Sequence, residues 1–248
     1  MIAIIQGIIV NIYFMTSGII ISPILYVTSF FISQNTSRAL ALCLTKSLRN
    51  CGYKLLGIQE EHRGLENIPK GPCIFASKHQ SSLETLYYFN MFKPNTVYCY
   101  KKELMKVPMW GRILQQLGGV SIDRQHGSKI LTHMQTQVKE YLEEGVSVVI
   151  FPEGTRIPCG ETGKFRKGIQ LLYTENNVPI IPVALNTGWV LPKNSWIIRK
   201  HNIIVEFLPP ILPNSLPEKD FLPFLENAIN TKMQAIEAET RAKANFKC

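Results

Sequence analysis

From Met1 to Ser37 the chain contains no Asp, Glu, Lys, Arg or His, and Arg38 is its first charge. Core helices of soluble proteins seldom stay uncharged for so long, and the stretch exceeds the roughly 20 apolar residues that span a bilayer. It also lacks the positive start and small-residue cleavage site of a secretory signal, so it is expected to be retained. Other absences exclude chemistries. The six cysteines form no CxxC pair and the five histidines show no metal-ligand spacing, which argues against a structural zinc or two-metal centre. No GxxxxGK[ST] and no GxGxxG after a strand is present, so nucleotide-cradling loops are not indicated. No GxSxG elbow is present, which counts against a serine-nucleophile hydrolase. Several cysteines sit in apolar runs as reduced core cysteines do, which reads as a reducing, cytosol-facing compartment.

What is there is a 248-residue chain, 46% hydrophobic and only 18% charged, carrying a formal charge of +9. That length suits one α/β domain with an appendage. The basic balance points to an anionic partner: nucleic acid, anionic lipid headgroups or a phosphorylated substrate. Asn11, Gly18 and Pro23 interrupt the uncharged stretch, and Pro23 is expected to kink it or split it into two short helices. A buried pair of core helices is the other reading. The first basic residues, Arg38, Lys46 and Arg49, favour a cytoplasmic position for the rest of the chain. Residues 38–53 pattern as an amphipathic helix with Leu40, Leu44 and Leu48 on one face, suited to a membrane interface. Residues 1–53 are therefore expected to be membrane-anchoring helices and 54–248 an α/β domain.

Beyond the anchor, strand and helix signals alternate. Strands are expected at 55–62, 72–77, 96–100, 119–122, 147–151, 178–185 and 201–207. Helices are expected at 82–92, 108–117 (with Pro108 in its first turn), 127–144, 167–176 and from Pro217 onward. This order predicts an α/β fold with a mostly parallel sheet flanked by helices.

His79 and Glu84 lie five apart in SKHQSSLET, after a short apolar strand and at the start of a helix. Imidazole is the side chain poised to take a proton near neutral pH. A carboxylate on its other ring nitrogen fixes the tautomer, as in hydrolase triads. The two meet only if His79 sits in the loop and Glu84 in the first helical turn. Ser81-Ser82-Leu83-Glu84 is also a capping box, so Glu84 has two readings, cap and catalytic partner. His201 and Glu206 share the spacing, but an odd offset in a strand sends side chains to opposite faces.

Three basic clusters follow three expected strands: Lys101-Lys102, Asp123-Arg124, and Glu153-Gly154-Thr155-Arg156. Carboxyl ends of strands are where open α/β sheets build sites, and arginine offers a planar fork to phosphate oxygens. Their shared position, with His79 after its own strand, points to convergence on one phosphate. The separated basic residues and apolar anchor fit lipid better than nucleic acid.

Taken in order, His79 to Glu84, Lys101 to Leu104 with Pro108 and Gly111, Gly119 to Arg124, Phe151 to Arg156 and Val178 to Val183 resemble the four blocks of the glycerolipid acyltransferases. The bacterial 1-acyl-sn-glycerol-3-phosphate acyltransferases are the nearest likeness, over roughly residues 50–190. The resemblance implies acyl transfer from an acyl thioester to the sn-2 hydroxyl of lysophosphatidic acid, giving phosphatidic acid in phospholipid biosynthesis. It implies His79 as base, Glu84 as its orienting partner, and Arg124 and Arg156 as phosphate ligands assisted by Lys101 or Lys102. Glu153, Gly154 and Thr155 would shape the acceptor site, and Pro182 would lie on the acyl-donor side. No metal or cofactor is implied; acyl-CoA or acyl-carrier protein is the co-substrate. The implied place is the bacterial inner membrane, with the site facing the cytoplasm. Glu84 stands where the family has aspartate, and Ser121 where it commonly has an aromatic residue. Another lysolipid or glycerol 3-phosphate as acceptor, or a non-catalytic membrane-bound anion-binding module, are the alternatives.

Overall fold

The computed structural model describes residues 2–85, 95–123 and 129–243. Helix α1 (Ile2–Thr28) is followed by a tight turn and α2 (Gln34–Leu56). The expected split at Pro23 does not occur: α1 runs through it. Proline removes one intrahelical hydrogen bond, while α1 packs against α2. The Ser33 hydroxyl caps α2 by accepting from Thr36 N–H, and Gly57 ends it at φ 66°. That left-handed conformation suits glycine. The strand expected from Leu55 therefore starts later, as β1 (Glu60–Arg63).

The remaining strands are β2 (Ile74–Ser77), β3 (Thr96–Lys101), β4 (Val120–Ile122), β5 (Ser147–Ile150), β6 (Ile180–Leu185) and β7 (Ile203–Phe207). They form one seven-stranded sheet in the order β1-β7-β6-β2-β5-β3-β4. Neighbours pair parallel except β6 with β7. The described helices after α2 are α3 (Trp110–Leu117), α4 (Lys129–Glu143), α5 (Lys167–Glu175), α6 (Thr187–Val190) and α7 (Glu218–Lys243). The short α6 was not expected. Pro108 lies outside α3, whose N-cap is Met109 at φ 65°. The expected helix over 82–92 is described only at its start, residues 83–85.

Strand alternation builds a core on each face of the sheet. Ile74, Ala76, Val148 and Ile150 face Met134 and Val138 of α4, Ile169 and Leu172 of α5, and Phe221, Leu225 and Ile229 of α7. Phe75, Val149, Ile181 and Val205 face the other way, onto Tyr53 and Leu56 of α2 and Val10 of α1. With both faces covered, central strands read as continuous apolar runs, and β2 and β6 are buried at every position. Each large apolar side chain so enclosed contributes about 1.5–3 kcal/mol.

The other side of α1 is bare. Ile5, Ile9, Ile12, Ile19, Ile20 and Val27 are more than half exposed. Ile5–Thr28 is long and apolar enough to cross a membrane. Cys43, Cys51, Cys73 and Cys99 are free thiols, while Cys159 is disulfide-bonded.

Candidate active site

Parallel pairing of β2, β5, β3 and β4 puts their carboxyl ends along one edge of the sheet. His79 follows β2, Glu153 to Arg156 follow β5, Lys101 ends β3, and Asp123 follows β4. The four strand ends thus lie along the same edge. Arg124 lies outside the described residues.

Glu84 sits in the first helical turn, wholly buried, and its two oxygens divide the labour. Oε2 bonds His79 Nδ1. Oε1 accepts from the backbone N–H groups of Gln80 at 2.8 Å and Ser81 at 2.7 Å, and from the Thr187 hydroxyl at 2.5 Å. One carboxylate thus both caps the helix and bonds the imidazole. Ser81 completes the box by accepting from Leu83 N–H at 3.2 Å. Because Glu84 holds Nδ1–H, the neutral imidazole keeps its lone pair on Nε2.

The backbone of His79 is held on both sides by the segment after β5. Its N–H donates to Glu153 Oε2 at 2.9 Å, and its carbonyl accepts from Ile157 N–H at 2.7 Å. The imidazole stacks on Phe151, centroids 4.0 Å apart and planes 19° from parallel. Gly154 makes the turn that brings Arg156 round, with φ 67° and its N–H bonded to Phe151 O at 2.9 Å.

Glu153 is a strut. Its other oxygen pairs with Lys78 Nζ at 2.5 Å, and both side chains are essentially inaccessible. Burial pushes the Glu153 carboxyl above the usual carboxylate range, against the pull of the Lys78 ammonium. The Lys78 ammonium also donates to Glu161 O at 3.3 Å. Gln80 is fixed as firmly, donating to Glu237 of α7 at 2.9 Å and accepting from Gly188 N–H at 3.2 Å.

A cavity of about 660 Å³ opens beside His79. Its lining includes His79, Lys101, Arg156 and Lys193, together with Gly154 and Thr155. The rest of the lining is mostly apolar and includes Ile21 and Leu25 of α1, Leu48 of α2 and Ile113 of α3. Lys102 instead turns to Asp123, 3.0 Å away. Pro182 lies buried in β6 opposite Ala76, and its carbonyl accepts from Leu208 N–H. It is in the sheet and does not line the cavity. His201 precedes β7, while Glu206 within that strand bonds Lys232 at 2.8 Å.

Sequence reasoning missed Lys78, Thr187 and Lys193. Lys78 beside a loop histidine reads as solvated, and Thr187 and Lys193 are more than 100 residues from Glu84 and His79. Only the β2–β6 pairing, which runs Ser77 beside Val183, brings Thr187 within reach.

Fold and site define a class: an α/β protein with a strand-end histidine, bonded to a buried carboxylate, in the lining of a cavity that also carries cationic and apolar side chains. The chain belongs to the acyltransferase family, whose model, described as Acyltransferase, matches residues 59–186, just over half of it. It is 41% identical over 166 residues to a 1-acyl-sn-glycerol-3-phosphate acyltransferase of Pseudomonas aeruginosa, covering 67% of this chain and 61% of that one. To the protein of that name from Escherichia coli it is 32% identical over 143 residues, 57% of each chain. The matches thus span less than two thirds of these relatives' own length. The crystal structure of the 1-acyl-sn-glycerophosphate (LPA) acyltransferase PlsC from Thermotoga maritima superposes with a TM-score of 0.74, covering 98% of this chain and 99% of that one. At 21% identity that likeness speaks for the fold.

Proposed function

We propose that this protein transfers an acyl group from an acyl thioester to the sn-2 hydroxyl of 1-acyl-sn-glycerol 3-phosphate, giving phosphatidic acid. The observation that carries the reading is the His79–Glu84 pair beside a cavity lined by both cationic and apolar side chains. Such an acceptor has that polarity: a phosphate, a free hydroxyl, then a hydrocarbon tail. The cavity volume lies within the range of specific small-ligand pockets.

His79 Nε2 takes the proton from the acceptor hydroxyl as its oxygen attacks the thioester carbonyl. The tetrahedral intermediate collapses, the C–S bond breaks, and the imidazolium returns its proton to the departing thiolate. Glu84 stabilises the imidazolium between these steps. Positioned base catalysis of this kind contributes about 10²- to 10⁴-fold. Arg156 and Lys101 hold the acceptor phosphate, with Arg124 as a further ligand and Lys102 acting as counter-ion to Asp123. Glu153, Gly154 and Thr155 shape the acceptor end, Glu153 through the His79 backbone. Pro182 acts only by supporting the sheet.

Residues 1–53 anchor the protein to the bacterial inner membrane with the site facing the cytoplasm. The bare face of α1 supplies the apolar contact, and the cavity reaches α1 from within. The donor is acyl-CoA or acyl-carrier protein, and no cofactor takes part. Purified protein in detergent, offered lysophosphatidic acid, glycerol 3-phosphate and lysophosphatidylcholine with each donor, tests the reading. Lysophosphatidic acid is expected to turn over fastest. A preference for the zwitterionic lysolipid would refute the phosphate assignment.

A further inference from the structure

Four large apolar side chains are exposed within seven residues of the α/β domain itself. Leu104, Val107, Met109 and Trp110 are 43%, 44%, 39% and 47% accessible. They lie between the end of β3 and the first residue of α3, on a 3₁₀ turn and the loop after it. Scattered exposed apolar residues are ordinary, whereas a contiguous patch marks an interaction surface. Met109 adds a second sign. Its backbone sits at φ 65° and ψ −40°, a conformation costly for a long unbranched side chain.

The helix that Trp110 opens, α3, is tied to the turn after α1. Arg112 of α3 donates to the Ser29 carbonyl at 3.0 Å and lies over the Phe30 ring, 4.7 Å from its centroid. Gln116 donates to Ile32 O at 3.0 Å, and Arg38 to Leu117 O at 2.7 Å. The turn between α1 and α2 is thereby clamped to α3, and its own tip, Phe30 and Phe31, is 55% and 82% exposed. Exposed Lys101 and Lys106 border the patch, with Glu103 the single acid among residues 101–110. Leu104 and Trp110 also line the cavity, so the patch adjoins it.

We infer that residues 104–110 form a second membrane-contact element, inserting into the headgroup region of an anionic bilayer beside the α1–α2 tip. Tryptophan favours that depth, and basic residues at the rim meet anionic headgroups. Attachment of α3 to the tip holds the adjoining cavity near the lipid surface. The inference extends the membrane-anchor reading and does not depend on turnover.

Vesicles of phosphatidylglycerol and phosphatidylethanolamine, free of acyl donor and acceptor, provide the test. Lipids brominated near the headgroup are expected to quench tryptophan emission of the full chain, and Trp110→Phe to abolish a substantial part of that quenching. Equal quenching in the two proteins overturns the insertion of Trp110. The double variant Val107→Asn, Met109→Asn removes apolar contact, and asparagine tolerates a positive φ better than methionine. It is expected to bind vesicles about ten-fold more weakly, as loss of two partly buried apolar side chains implies, with a thermal midpoint no lower than that of the unsubstituted chain. Unchanged vesicle affinity, or a lowered midpoint that accounts for the weaker binding, overturns it. A chain that binds vesicles but transfers no acyl group would refute the proposed activity and leave this contact standing.

Discussion

Replacing Glu84 with glutamine isolates what its charge does. The residue is fully buried, and Oε1 already accepts from two backbone N–H groups and a hydroxyl. An amide must therefore place its oxygen among those three donors and turn its NH₂ toward His79 Nδ1. Nδ1 then becomes an acceptor, the ring proton moves to Nε2, and the base is lost. Wrong-tautomer substitutions of this kind in hydrolase triads cost about 10⁴-fold, so kcat/KM is expected to fall about 10³- to 10⁴-fold, or roughly 4–5.5 kcal/mol of transition-state stabilisation. The fold should survive because the hydrogen bonds of the capping box survive. Glu84→Ala, by contrast, leaves buried donors unpaired at about 1–3 kcal/mol each and should lower the thermal midpoint markedly. Release of free thiol from the acyl thioester, followed continuously with a chromogenic thiol reagent, reads the rate, and calorimetry reads the stability. A Glu84→Gln protein within ten-fold of the unsubstituted activity would refute the tautomer argument.

Lys78→Met strands the Glu153 carboxylate in a site inaccessible to water, and loss of one partner of a buried pair costs about 3–5 kcal/mol. Burial raises the Glu153 pKa in the folded state, so the folded variant binds the proton more tightly than the unfolded one. Its deficit should be full above the folded-state pKa and shrink as pH falls toward the ordinary carboxylate range; a pH-independent deficit in melting experiments would contradict this. Arg156→Ala removes a phosphate contact and should raise the acceptor KM with a smaller effect on kcat, and an unchanged KM would remove Arg156 from that role. Burial pushes the Cys73 and Cys99 thiols up to about 12. Mass spectrometry after alkylation at pH 8 should find Cys43 and Cys51, which are exposed, modified well before Cys73 and Cys99.

The sheet was legible because β2, β5 and β6 are buried runs bounded by turns, and a run of that length between helical segments has few other solutions. The His79–Glu84 geometry was legible from position: loop residue, helix cap, five apart. Boundaries slipped where local signals competed. Leu55 and Leu56 look like the start of a strand, yet they end α2, and Gly57 was the stop signal. Pro108 suggests a helix start, yet Met109 in a positive-φ conformation separates it from the first helical residue, Trp110. Lys78, Thr187 and Lys193 were illegible for another reason. The partners of Lys78 and Thr187 lie far along the chain, and nothing local distinguishes a buried lysine from a solvated one. Glu153 illustrates the limit from the other side, since its motif is conspicuous while its task of holding the His79 backbone depends on the β2–β5 pairing.

The central claim is that His79 is the base for acyl transfer to lysophosphatidic acid. The most direct measurement is the initial rate of phosphatidic acid formation from acyl-CoA and 1-acyl-sn-glycerol 3-phosphate by the purified chain and by His79→Ala. The substitution should leave the thermal midpoint nearly unchanged, because His79 is anchored through its backbone, while lowering kcat by at least 10²-fold, the lower bound for a positioned base (~10²–10⁴). Equal phosphatidic acid formation by the two proteins would contradict the account.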